Sequence, residues 1–160
     1  MSLDAYQDSS MLELFHQEAQ AQTQVMDSGL LVLEREPTDP AQLEACMRAA
    51  HSLKGAARIV GLDAAVSLAH VMEDLLVAAQ SGTVRLNSTH IDALLRGSDA
   101  LRHLSEGANV DGLPALLALL ATGAQDAAPP ELTPAYPEEP TVIEAVEPVE
   151  PEIPAEQHDR

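Results

Sequence analysis

"AAHSLKGAARIVGL", residues 49–62, runs directly into "DAAVSLAHVMEDLLVAAQSG", residues 63–82, and the pair has the pattern of a helical hairpin. The first is apolar at helical intervals and stops at Gly61; the second restarts at Asp63 and stops at Gly82. Two helices joined by so short a turn pack side by side and antiparallel. Winding the first at about 100° per residue gathers Cys46, Ala49, Leu53, Ala57 and Val60 on one side. His51 falls nearly opposite, with Glu44, Arg48, Lys54, Gly55 and Arg58 around it. A core histidine is thereby excluded, and His51 is expected on the outer face.

The same punctuation repeats on either side of this hairpin. Ser10 with Glu13 has the form of a capping box, after which Leu12, Phe15, Ala19, Met26, Leu30 and Leu33 recur at helical spacing up to Pro37. Asp39 before Pro40 is an N-cap with proline at the first helical position. Asp63 and Asn87 are expected to cap the third and fourth helices, and Asp111 to open a shorter fifth one closed by Gly123. No stretch alternates with period two long enough to make a strand. The pattern predicts an all-α protein: an antiparallel up-down four-helix bundle with a short fifth helix on one side.

Composition agrees. Of 160 residues, 46% are hydrophobic but only 2% aromatic, so the core must be built from Leu, Ala, Val and Met, which favours helices. Met11, Met26, Met47 and Met72 read as core or rim packing, and the single Cys46 as a small buried apolar residue. A net charge of −18 argues against a nucleic-acid backbone as partner. No apolar run reaches the roughly 18 residues that span a bilayer, and the N-terminus lacks the layout of a signal peptide. A cytoplasmic protein without direct membrane insertion is expected.

A break in composition follows Gly123. Residues 124–160 hold eight of the 11 prolines and ten acids against the single base Arg160, half of the net charge. Such a segment is self-repelling, stiffened by proline and short of core residues. Residues 1–123 are therefore expected to form the bundle and 124–160 an acidic, proline-rich, disordered linker. Val142 with Ile143, and Val146 with Val149, are short apolar pairs inside it, candidates for a docking motif against a plain spacer.

Antiparallel helices pair residues equidistant from their turn. Centred on Leu62, His51 matches Glu73 and Lys54 matches His70, putting two ionisable pairs at equal heights. Neutral imidazole is a nucleophile near pH 7, and a carboxylate accepting one ring N–H presents the other nitrogen's lone pair. Glu73 suits that orienting role. Lys54 and His70 would supply cations for an arriving phosphoryl group, and Gly55 removes bulk beside the imidazole. Arg48, Lys54 and Arg58, three of eight bases in an acidic protein, suit an acidic partner pocket. Val66, Ala69, Leu76 and Val77 are expected to form an apolar docking patch alongside. His16, His90 and His103 have no partner at compatible spacing and are assigned nothing.

"AHSLKGAARIVGL" followed at fixed distance by "LAHVMEDLL" resembles the histidine phosphotransfer (HPt, P1-like) domain of CheA-type chemosensory histidine kinases, over about residues 8–106. The resemblance implies that His51 is the phosphoacceptor, with Lys54, Gly55, His70 and Glu73 at supporting positions. It implies two partners, the ATP-binding kinase domain of a parent protein and the receiver domain of a response regulator, and makes the acidic tail a linker to further modules. Ala56 departs from the second glycine usual in the chemotaxis members. With Arg58 it makes "GAARIVGL" look more like the kinases of surface-sensing and twitching systems, the Wsp-type hybrid kinase among them.

Two other classes of function fit part of the pattern. A helical adaptor without chemistry would use the same apolar patch. A metal-binding bundle would want Glu-x-x-His on two helices, whereas here the order is reversed, single and next to a lysine; neither metal nor cofactor is expected. With no glycine-rich nucleotide loop and no strand to carry one, the chain is not expected to be a kinase by itself.

Overall fold

The computed structural model describes residues 3–126, with side chains from residue 7 onward. Five helices are found there and no strand: α1 (Leu3–Arg35), α2 (Pro40–Ile59), α3 (Asp63–Gln80), α4 (Ser88–Ser105) and α5 (Leu113–Gly123). The apolar pairs proposed for the tail lie outside the described residues.

The first four helices run alternately up and down, and their cross-contacts give the register. Cys46 Sγ on α2 reaches the Met26 carbonyl of α1 at 3.7 Å. On α4, Ser98 donates to Asp27 Oδ1 at 2.6 Å, and Ser105 stands 3.2 Å from His16 Nδ1, so α4 closes the bundle back onto α1. The core is aliphatic apart from Phe15: Met26, Leu30, Leu53, Leu68, Met72, Leu94 and Leu101 are all essentially solvent-free. Each such side chain contributes about 1.5–3 kcal/mol relative to exposure. The α5 helix covers the α3–α4 side with Leu116 and Leu120.

Local chemistry explains the boundaries. Asp39 caps α2, its Oδ1 accepting from Gln42 N–H at 3.0 Å, with Pro40 in the first turn. The α2–α3 turn is a Schellman closure, with Gly61 N–H donating to Arg58 O at 3.2 Å and Leu62 N–H to Ala57 O at 3.0 Å. Gly61 takes φ of +71°, a conformation costly for any residue with a Cβ. This tight turn holds α2 and α3 in register.

Several boundaries differ from expectation. The Ser10–Glu13 box is unused, because α1 starts about two turns earlier and runs through it. Leu12 and Met11, expected to pack, are exposed: with His16 already level with the last turn of α4, the preceding residues project past the helices that would cover them. Leu62, not Asp63, occupies the N-cap of α3 and makes no side-chain cap, since the Schellman turn spends that position on an apolar contact. The α5 helix opens after Gly112 rather than at Asp111. Beyond the expected boundary at Gly123, Ala124 N–H bonds to Leu120 O and Asp126 contacts α4.

Candidate functional site

The turn at Gly61 brings the outer face of α2 against the edge of α3. There His51 Nδ1 lies 2.8 Å from Glu73 Oε1, and Lys54 Nζ lies 2.6 Å from Glu73 Oε2. One carboxylate thus serves two donors. The His51 side chain is 66% exposed while that of Glu73 is 14% exposed and that of Lys54 17%. The imidazole stands in solvent on a sheltered carboxylate.

Burial by itself would raise the pKa of Glu73, but hydrogen bonds from Lys54 and His51, and their charges, outweigh it and hold the carboxyl below its ordinary value. At neutral pH Glu73 is therefore ionised and can only accept. The contact to His51 accordingly requires the proton on Nδ1, leaving the Nε2 lone pair in the neutral ring. Nε2 has no hydrogen-bond partner among the described residues.

The other expected site residues are distributed differently. Lys54 does not meet His70: it turns to Glu73, so it steadies the carboxylate rather than standing free as a cation. His70 Nε2 instead lies 3.4 Å from Asp74 Oδ2 one turn along the same helix, a partner within α3 and not across the turn. Arg48 pairs with Glu44 at 2.6 Å, whereas Arg58 is exposed. Gly55 is exposed too, and a Cβ built on it would meet nothing within 4 Å. Of the apolar patch, Val77 is exposed and Val66 half-buried, but Ala69 and Leu76 are fully buried. They point into the bundle and cannot touch a partner, a correction that follows from α3 burying a wider face than its apolar spacing suggested.

The three unassigned histidines all have partners. His16 contacts Ser105, His103 lies 3.7 Å from Asp99, and His90 bridges Asn87 and Asp126. For His90 a signal existed: Asn87-x-x-His90 is a capping box in which Asn87 Oδ1 accepts from His90 N–H at 3.0 Å and His90 Nδ1 accepts from Asn87 N–H at 3.2 Å. Cys46 is buried, which pushes its thiol up to about 12. Among the described residues no three His, Cys, Asp or Glu side chains gather to hold a metal ion, and no helix is long and apolar enough to cross a membrane.

A profile described as Hpt domain matches residues 10–123. The chemotaxis protein CheA of Rhizobium meliloti (strain 1021) is 39% identical over 100 residues, covering 62% of this chain and 13% of that protein. The gliding motility regulatory protein of Myxococcus xanthus is 39% identical over 109 residues, covering 66% of this chain and 14% of that protein. The chain therefore spans only about one seventh to one eighth of the length of these curated relatives. Among solved structures, the phosphorylated P1 domain of CheA3 in complex with CheY6 from R. sphaeroides superposes with a TM-score of 0.66 at 27% identity, covering 74% of this chain and 98% of that one.

Proposed function

The chain belongs to the Hpt domain family, and from that premise we propose that His51 is its phosphoacceptor, loaded by an ATP-binding kinase domain and discharged to an aspartate of a response-regulator receiver. The observation that carries this reading is the 2.8 Å contact between His51 Nδ1 and Glu73 Oε1, which leaves Nε2 as the nucleophile. In the loading step Nε2 attacks the γ-phosphorus of ATP, the N–P bond forms, the bond to the bridging oxygen breaks and ADP leaves. The ring is then cationic, and ionised Glu73 on Nδ1–H stabilises it. In the unloading step the receiver's carboxylate attacks phosphorus, the N–P bond breaks and neutral imidazole returns.

Lys54 acts in this scheme as a positioning residue through Glu73, and Gly55 leaves the approach to Nε2 open. Residues 127–160 would serve as the linker toward the kinase modules. The dependence on ATP sets the domain in the cytoplasm. The receiver as partner is supported by the related P1 domain of CheA3, whose structure is a complex with CheY6.

The test is phosphorylation by the parent kinase core with ATP, followed by mass mapping under alkaline conditions that preserve phosphohistidine. Label is expected on His51 alone and is expected to vanish in His51→Gln with the helical content unchanged. Persistent acid-labile label in that variant would overturn the assignment.

A further inference from the structure

We propose that Ile59 is an apolar anchor for the receiver domain, forming one rim of the surface that closes over His51; the inference rests on the phosphotransfer reading above. Ile59 is 72% exposed, the most exposed large hydrophobic side chain among the described residues, and it occupies the last residue of α2. A single exposed isoleucine needs no explanation by itself. Its surroundings supply one.

Ile59 lies eight residues after His51, about 12 Å along the helix and about 80° around it, on the outward half of α2. A specific protein interface covers about 800 Å² per partner, roughly a disc of 16 Å radius. A partner whose footprint is centred on Nε2 of His51 therefore reaches Ile59 as well. Between the two stands Gly55, where even a Cβ would meet nothing, so midway from His51 to Ile59 a partner surface can approach the backbone. Val77, exposed on α3 one turn beyond Glu73, supplies apolar surface on the other side of the imidazole. Apolar contacts on both sides exclude water from the transferring group.

Charge selects the occupant. Arg58, next to Ile59, is exposed and enters no ion pair among the described residues, unlike Arg48, which Glu44 neutralises. An exposed arginine beside an apolar anchor complements a partner whose docking surface is acidic and carries an aspartate at its centre. That is the chemistry of a receiver's phosphoacceptor pocket.

The experiment uses the full chain with Ile59→Ala, Ile59→Glu and, as a control on α5, Leu119→Glu. Each is loaded on His51 with phosphoramidate, a donor too small to need docking. Loss of phosphohistidine is then followed by rapid quench at increasing concentrations of the receiver, encoded with the parent kinase, that the wild type phosphorylates fastest. Ile59→Glu is expected to raise the receiver concentration for half-maximal rate at least tenfold and Ile59→Ala about threefold. Limiting rate, phosphoramidate loading and melting curve should stay within twofold or unchanged, and Leu119→Glu should behave as wild type. A half-maximal concentration within twofold of wild type for Ile59→Glu would overturn the proposal. So would a defect confined to loading from the kinase core, or a concentration-dependent dimer that Ile59→Glu dissolves. If the wild type itself neither loads nor transfers, the phosphotransfer reading falls and takes this inference with it; if only the Ile59 variants are indifferent, that reading stands.

Discussion

His51 and Glu73 are 22 residues apart in sequence and 2.8 Å apart in space, one standing in solvent and the other sheltered between α2 and α3. Replacing Glu73 by Ala removes the acceptor that holds the proton on Nδ1. The tautomers then mix, and phosphoryl transfer should slow by about ten- to a thousand-fold, short of the roughly 10⁴-fold loss when a triad imidazole is held in the wrong tautomer. Nitrogen-15 NMR of the ring reads the tautomer directly: the wild type should show protonated Nδ1 and bare Nε2. A wild-type ring without tautomer preference would remove Glu73 from the mechanism.

The same carboxylate makes stability depend on pH with a definite sign. Its pKa is lower folded than unfolded, so the folded state favours the charged form. The contribution is fully present above the unfolded value near 4.5 and is lost as pH falls through the folded one. Urea midpoints should show Glu73→Gln less stable than wild type at pH 7, with the gap narrowing below about pH 4. A gap that is constant with pH would mean the loss comes from packing alone.

Gly55 and Gly97 should respond to alanine with opposite signs. At Gly55 the added Cβ meets open space, and replacing a helical glycine by alanine gains up to about 1 kcal/mol. Thermal unfolding should therefore shift upward while transfer to the receiver slows. At Gly97, inside α4, the Cβ would stand 2.7 Å from Met72 Sδ and 3.3 Å from its Cγ, and Met72 is fully buried, so its side chain would have to shift within a packed core. Overpacking costs of about 1–3 kcal/mol exceed the helical gain, so Gly97→Ala should unfold at lower temperature.

His90 ties the end of α5 to the start of α4. Its Nδ1 accepts from Asn87 N–H, so Nε2 carries the proton given to Asp126 Oδ2 at 2.8 Å, and Gly123 packs closely against the ring. Asn87→Ala should cost about 1 kcal/mol through loss of the cap. Asp126→Ala, at an exposed acid, should cost less than that. Hydrogen exchange in the last turn of α5 should quicken in Asp126→Ala while the first turn of α2 is unchanged; equal quickening in both would show that the pair does not act locally.

The period of apolar residues along α2 was enough to place His51 outward, and the distance of each residue from the Gly61 turn was enough to bring Glu73 opposite it. Both follow from helix geometry, which is a local property of the backbone and therefore written in the spacing of Ala49, Leu53 and Ala57. Asp39 and Asn87 were legible for the same reason, since a cap needs only residues within one turn. What lay beyond reach depended on which side chain wins among several neighbours. Lys54 pairs with Glu73 and not with His70 because an ammonium, which can only donate, is held by an anionic carboxylate, and His70 pairs with a carboxylate of its own, Asp74. Ala69 and Leu76 disappeared into the core because α3 is covered by α2, α4 and α5 together, while Leu12 surfaced because the helices that would cover it end first. Helix spacing is set by the chain, but burial and charge pairing are set by where neighbouring helices start and stop, and that is decided only when all five are packed.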